Sequence, residues 1–224
     1  HELEQKREAA REQLRQAAAV GPKGGRLLDI GAGRGEFVSV AKEEGWEPVG
    51  IEPSESFASF AESFAGVPMY RTELKDCNFP DSSFDVVILG AVLEHLYNPN
   101  ETVKEIARIL KRGGLLFVDV PNEEGLYFRV GNLYQKIRGR DWVVNLAPTF
   151  SPFHVFGYGA KSLRALLAKY ELSPRIWRVY GGTSYVPTRG GLVGEFEKMG
   201  AKAVTAISNL GQLGTYIETW AIKN

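Results

Sequence analysis

A single cysteine, Cys77, stands in the whole chain. One thiol cannot close an intrachain disulfide, nor can it build a thiolate zinc cage. Both absences fit a reducing cytoplasm, the expected compartment. An excess of charge of one sign is also missing: 27 Lys and Arg meet 27 Asp and Glu, for a net charge of zero. A protein that grips a polyanion through its phosphates usually carries a basic excess, so no nucleic-acid partner is expected. Long apolar runs are lacking as well. The greasiest stretches, residues 84–93 and 115–120, have only strand length, and no membrane span is expected. No cationic-then-apolar leader opens the sequence. It begins at His1 rather than Met, so the start is expected to be trimmed. Repeats and low-complexity linkers are absent. What is present, 44% apolar and 24% charged residues over 224 positions, suffices for one domain with a full core and a lid-sized insertion.

Periodicity then orders the chain. Residues 1–20 are charged and helical in type, with Leu3, Ala10, Leu14 and Ala17 on one stripe, and Gly21-Pro22 ends that helix. A short apolar strand at 26–30 runs into a glycine loop and a helix over 36–44. A second strand (48–51), a second helix (54–64) and a weak third strand (67–70) follow. Residues 84–89 form a continuous apolar strand of the kind buried on both faces. Asn98-Pro99-Asn100-Glu101 reads as a capped helix start, and Val103, Ile106, Ala107 and Leu110 as its buried stripe. Lys111-Arg112 and Gly113-Gly114 read as its cationic last turn and glycine stop, ahead of a strand at 115–120. This alternation predicts a parallel sheet with helices on both faces.

Residues 121–160 break the rhythm and are rich in aromatics: Tyr127, Phe128, Tyr134, Trp142, Phe150, Phe153, Phe156 and Tyr158. Such a stretch predicts a lid over an acceptor pocket. Beyond it lie a helix around Leu163, Leu166, Leu167 and Tyr170 and a strand at 176–180. Another helix is expected around Leu192, Phe196, Met199 and Ala203, then an alternating edge or hairpin strand at 215–222. One domain is expected over 1–224: a cap helix (1–20), a cofactor half (21–120), a lid (121–160) and a C-terminal half (161–224).

The chemistry-bearing segment is Leu27-Leu28-Asp29-Ile30-Gly31-Ala32-Gly33-Arg34-Gly35-Glu36-Phe37, a buried strand ending in a glycine turn that opens a helix. Glycines let backbone approach a ligand closely, and the helix start offers free N–H groups. Glu52 ends the next strand, 17 residues beyond Gly35. An acid there accepts hydrogen bonds from both ribose hydroxyls of a nucleoside. A dinucleotide fingerprint wants glycine where Glu36 stands, and a carboxylate facing a pyrophosphate is unfavourable. Asp29 and Glu36 suit instead a cationic, nucleoside-bearing ligand.

That segment resembles motif I of the class I S-adenosylmethionine-dependent methyltransferases. Asn78-Phe79-Pro80-Asp81-Ser82-Ser83-Phe84-Asp85-Val86-Val87, Gly90-Ala91-Val92-Leu93-Glu94-His95-Leu96-Tyr97-Asn98-Pro99 and Ile109-Leu110-Lys111-Arg112-Gly113-Gly114-Leu115-Leu116 resemble the family's stretches around its fourth and fifth strands. The resemblance implies a doubly wound, mostly parallel seven-stranded α/β sheet with an antiparallel final strand. It implies S-adenosylmethionine as cofactor and S-adenosylhomocysteine as product. Asp29, Ile30, Gly31, Ala32, Gly33, Gly35, Glu36 and Phe37 would surround the methionine moiety. Glu52 would hold the ribose, Pro53 the adenine face, Glu73 and Leu74 the adenine edge, and Gly90 and Ala91 the ammonium group. The run at 152–158 followed by Ser162-Leu163-Arg164 resembles a small-molecule branch with a histidine in its lid.

The acceptor implied is small (aromatic, sugar or lipid-like) and is methylated on oxygen. Alignment supplies much of such a transfer, and a hydroxyl acceptor gains from a base, most often His. His95 and His154 are the candidates; each also suits a purely structural role. Some relatives that methylate quinone precursors carry a metal-binding Glu-x-x-Glu-His after the fourth strand. Ala91 stands in place of the first Glu, and no metal is expected. Lys136, Arg138 and Arg140 read either as a solvated face or as a grip on an anionic acceptor. The alternatives are an NAD-dependent oxidoreductase, which Glu36 disfavours, a non-catalytic S-adenosylmethionine-binding protein, and a nucleic-acid methyltransferase. The last lacks its Asn-Pro-Pro-Tyr-type tetrapeptide.

Overall fold

A computed structural model of the chain describes residues 2–141, 153–181, 191–210 and 213–224, with some side chains of the helix at 191–210 left out. Its apolar runs become seven strands: β1 (Arg26–Ile30), β2 (Glu47–Ile51), β3 (Met69–Tyr70), β4 (Phe84–Gly90), β5 (Leu110–Pro121), β6 (Leu172–Tyr180) and β7 (Tyr216–Lys223). The helices are α1 (Glu2–Val20), α2 (Glu36–Glu43), α3 (Glu55–Ala65), α4 (Pro99–Ile109), α5 (Leu126–Ile137), α6 (Ala160–Lys169) and α7 (Gly191–Leu210). The strands form one sheet in the order β3-β2-β1-β4-β5-β7-β6, as the doubly wound expectation requires. Neighbours from β3 through β5 pair in parallel, and β7 runs antiparallel to both β5 and β6. The strand order reverses between β1 and β4. In open α/β sheets, the crevice at the carboxyl ends of such strands is where ligands bind.

Two cores lie on the two faces. On one, Leu28, Leu89, Leu116 and Val118 pack with Val103 and Ile106 of α4 and Leu163 and Leu167 of α6. On the other, Leu27, Val86, Leu115, Phe117 and Trp220 pack with Ala10, Leu14 and Ala17 of α1 and Val40 and Ala41 of α2. The α1 stripe therefore holds from Ala10 onward. Leu3 is exposed, lying at the mouth of a cleft rather than under the sheet.

Several expectations need correction. Helix α4 starts at Pro99, but Asn98 makes no side-chain cap bond. That helix ends at Ile109, because Leu110 turns to extended backbone and pairs with Phe84. Lys111 and Arg112 are thus strand residues, with Lys111 Nζ bound to both carboxylate oxygens of Asp85 at 2.9 and 2.8 Å. Gly113, at φ +75°, lies within β5 as well. A β-carbon on Gly114 would stand 2.8 Å from the Lys111 carbonyl, so these glycines serve an irregular strand rather than a helix stop.

Strand β7 is not an edge or a hairpin partner. It lies between β5 and β6, with Ile217 to Ala221 all buried, and β6 is the edge. Residues 121–160 also contain more order than a lid without periodicity. Helix α5 occupies 126–137, and Phe128 and Tyr158 are buried, Tyr158 within the main core. Trp142 and Phe150 fall outside the described residues. The helix expected around Met199 and Ala203 is α7, although both of those residues are exposed on it.

Candidate active site

The glycine loop after β1 is tied to β2 by backbone. Gly31 and Ala32 both donate to the Ile51 carbonyl, at 2.8 and 3.0 Å. Gly31, Gly33 and Gly35 all have positive φ (+74°, +54° and +80°), which explains the residue type. A β-carbon on Gly35 would lie 2.8 Å from that of Ala61 on α3, so this glycine also lets the two helices approach. Around Gly33 the corresponding space is open to 4 Å. Ile30 and Ala32 are buried and serve the core, whereas Gly31 is exposed at the strand end. Phe37 is half-buried against the α1-side core.

Glu52 accepts Gly33 N–H at 2.9 Å on one oxygen and Ser54 N–H at 2.8 Å on the other. Asp29 is buried at the end of β1. Its burial, with the charges of Glu52 and then Glu36 added, pushes its pKa up to about 8. Three acids thus act on one spot, and Lys6 of α1 meets only the outer one, at 3.3 Å from Glu36 Oε1. This field favours a positively charged ligand. A cleft beside the loop is lined by Glu2, Leu3, Lys6, Arg34, Glu36 and Phe60, among others.

The remaining cofactor candidates are more dispersed. Pro53 is exposed. Glu73 is exposed and pairs with Lys75 at 2.9 Å, while the Leu74 side chain is buried in the main core. Gly90 ends β4. Ala91 holds a left-handed φ of +52°, rare for a residue with a side chain, and donates its N–H to the Asp119 carbonyl at 2.9 Å.

His95 and His154 come together, 59 positions apart in sequence, with ring centroids 4.9 Å apart. The Phe153 carbonyl lies 2.9 Å from His95 Nδ1. A carbonyl only accepts, so that nitrogen carries the proton and Nε2 presents a lone pair in the neutral ring. Nε2 lies 3.8 Å from Glu94 Oε1. Glu94 is almost wholly buried, and burial raises its pKa to about 7.

Beside this group is a pair absent from the sequence reading. Tyr180 of β6 donates its hydroxyl to both Asp119 oxygens, at 3.2 and 3.1 Å, and stacks on Tyr216 at 5.5 Å. Burial pushes Asp119 up to about 7; the Tyr180 hydrogen bond opposes that rise, and the Glu218 and Glu94 charges add to it. A lone carboxylate inside the apolar run 115–120 was the available signal.

A family profile described as a methyltransferase domain matches residues 3–175, most of the chain and all of the glycine loop, Glu52 and the Glu94–His95 segment. The chain belongs to this methyltransferase-domain family. Its class I architecture recurs in a SAM-dependent methyltransferase from Archaeoglobus fulgidus: TM-score 0.64 at 20% identity, covering 97% of this chain and 94% of that one. A probable S-adenosylmethionine-dependent methyltransferase of Mycobacterium tuberculosis is 29% identical over 63% of this chain and 46% of its own length. A demethylmenaquinone methyltransferase of Bacillus licheniformis is 28% identical over 76% of this chain and 77% of its own. The chain spans about half the length of several curated relatives it matches. S-adenosylmethionine is the cofactor of this class, and the residues present fit it. The loop leaves open space at Gly33, Glu52 offers a carboxylate, and the buried Asp29 lies in an acidic field.

Proposed function

We propose that this chain transfers a methyl group from S-adenosylmethionine to a small-molecule acceptor, on oxygen. The observation that carries the cofactor half is the convergence of Asp29, the positive-φ glycines and Glu52 at the β1–β2 end of the sheet. When bound, the cofactor supplies a methyl group activated by a sulfonium. Glu52 receives the ribose hydroxyls, with Pro53, Glu73 and Leu74 beside the base. Asp29 and Glu36 favour the cationic end, and the carbonyls at Gly90 and Ala91 receive its ammonium. Ile30, Ala32, Gly35 and Phe37 hold the loop in shape.

The acceptor binds toward α5, Asp119 and the histidine pair. Tyr180, Tyr216 and Phe153 offer ring surfaces for an aromatic, sugar or lipid-like molecule, and a relative named for demethylmenaquinone favours a small acceptor over a macromolecule. The acceptor's proton leaves at His95, with His154 the second candidate. The cytoplasm is the compartment that the lone Cys77 favours. Among the described residues no helix is long and apolar enough to cross a membrane.

Calorimetry with S-adenosylhomocysteine and, in parallel, NAD tests the cofactor: binding of the nicotinamide nucleotide alone would replace this reading with an oxidoreductase. A metabolite screen with labelled methyl donor tests the acceptor. Once one is found, His95→Gln should slow turnover by about 10²–10⁴ with S-adenosylhomocysteine affinity nearly intact. A change of less than a few-fold would return His95 to a structural role.

A further inference from the structure

The turn after β4 carries the adjacent donors Glu94 and His95, and the segment after α5 brings the distant His154 to them. One ligand atom each from Glu94, His95 and His154 lies within 4.8 Å of the other two. We infer that this cluster is a binding site for a zinc-class divalent cation, with one coordination position left for a water or the acceptor. The inference rests on the methyl-transfer reading only for what the fourth ligand is.

The strongest observation is Glu94 itself. Its side chain is 3% exposed, and Oε2 is buried with no hydrogen-bond partner. A buried carboxylate oxygen without a donor is costly, and native proteins fill such positions with a proton donor, a water or a cation. The groups facing it narrow the choice. The His95 Nδ1–H bond to the Phe153 carbonyl aims a lone pair, not a proton, toward the carboxylate. Metal-bound imidazoles are almost always held in this way, with the other ring nitrogen on a carbonyl or carboxylate.

Backbone fixes the pieces in place. The Glu94 carbonyl accepts both Val155 N–H, at 2.7 Å, and Phe156 N–H, at 3.1 Å. The segment carrying His154 is thereby fastened to the turn carrying Glu94 and His95. Bonds of about 2.0–2.2 Å in a tetrahedral site put donors roughly 3.4 Å apart. Glu94 Oε1 and His95 Nε2 stand at 3.8 Å and the three ligand atoms all lie within 4.8 Å of one another, so each pair must close by little more than about 1 Å.

The donor set selects the ion. Two imidazole nitrogens and one carboxylate suit zinc and its neighbours rather than magnesium, which prefers six oxygens. The sequence expectation of no metal rested on Ala91; the fold supplies His154 from a different segment. With the cation bound, His95 and His154 would be ligands and the bound hydroxyl would lose its proton more readily; the base role proposed above belongs to the chain without the cation.

The experiment uses the full chain, stripped with chelator and free of affinity tags. Co²⁺ titration followed by visible absorption should show about one equivalent bound, with the intense bands of a four-coordinate ion. Zn²⁺ should displace it, and a tenfold excess of Mg²⁺ should not. Glu94→Gln and His154→Ala should each weaken Co²⁺ binding by at least tenfold, with circular dichroism unchanged. A pale, six-coordinate spectrum in the unaltered chain overturns the site without reference to any variant. So does equal binding by the unaltered chain and both folded variants. S-adenosylhomocysteine titration of the same samples separates the two proposals: loss of that binding alone removes the methyl-transfer reading and leaves the cation site standing.

Discussion

Glu52 reaches from the end of β2 to accept the backbone N–H of Gly33 at 2.9 Å, so the carboxylate that would hold a ribose also braces the glycine loop. Hydrogen bonds to a charged group are worth roughly 1.5–3 kcal/mol each. Glu52→Ala should therefore weaken S-adenosylhomocysteine binding by at least about tenfold in calorimetry. Unchanged affinity would take Glu52 out of the site.

Gly33 and Gly35 should respond differently to the same substitution. Gly33→Ala adds a methyl group to open space and incurs only backbone strain of about 1–2 kcal/mol. Gly35→Ala adds similar strain and also drives a β-carbon to 2.8 Å from that of Ala61. Thermal melts should show the larger loss at Gly35, whereas ligand titration should show Gly33→Ala impaired beyond its effect on stability. Equal melting losses would mean that α3 yields to the added methyl without cost.

Asp29 gives a pH dependence with a definite sign. Its folded pKa, about 8, lies above that of an unfolded Asp, so the native chain binds more protons between roughly pH 4 and 8. Stability should fall as pH rises through that window and then level off. A cationic ligand favours the ionised form, so binding near pH 7 should release a proton, and affinity should rise by up to about tenfold per pH unit below 8. Calorimetry in buffers of different ionisation enthalpy measures the release. Asp29→Asn should abolish it; a release that persists in this variant belongs to another group.

Trp220 has no exposed surface and pairs with Phe117 across β5 and β7, ring centroids 4.9 Å apart. Trp220→Ala should cost about 3–5 kcal/mol in urea unfolding. It removes Nε1, which donates to Gln16 Oε1 at 3.3 Å, so α1 should fray first in hydrogen exchange. A loss below about 1 kcal/mol would show that α1 repacks into the space left behind.

Elements whose cause is local are legible in the residues alone. The run from Leu27 to Glu52 carries its own instructions. An apolar strand, glycines at positive φ, a helix start and an acid at the next strand's end need no distant partner to be read. Pro99 at a helix start and the buried stripe at Val103 and Ile106 are local in the same sense.

Features that depend on neighbours far away in sequence emerge only in the folded chain. Lys-Arg-Gly-Gly at 111–114 has the composition of a helix end. It became strand because Leu110 found Phe84 and Lys111 found Asp85. The last strand alternates like an edge, yet β5 and β6 enclose it, and no period in residues 215–222 could announce two partners. Asp119 meets Tyr180 across 61 positions, and His95 meets His154 across 59. Hydrophobic periodicity records which face of an element is buried, not which element will cover it. The glycine loop was therefore legible from the sequence, and the grouping of Glu94 with two histidines required the folded chain.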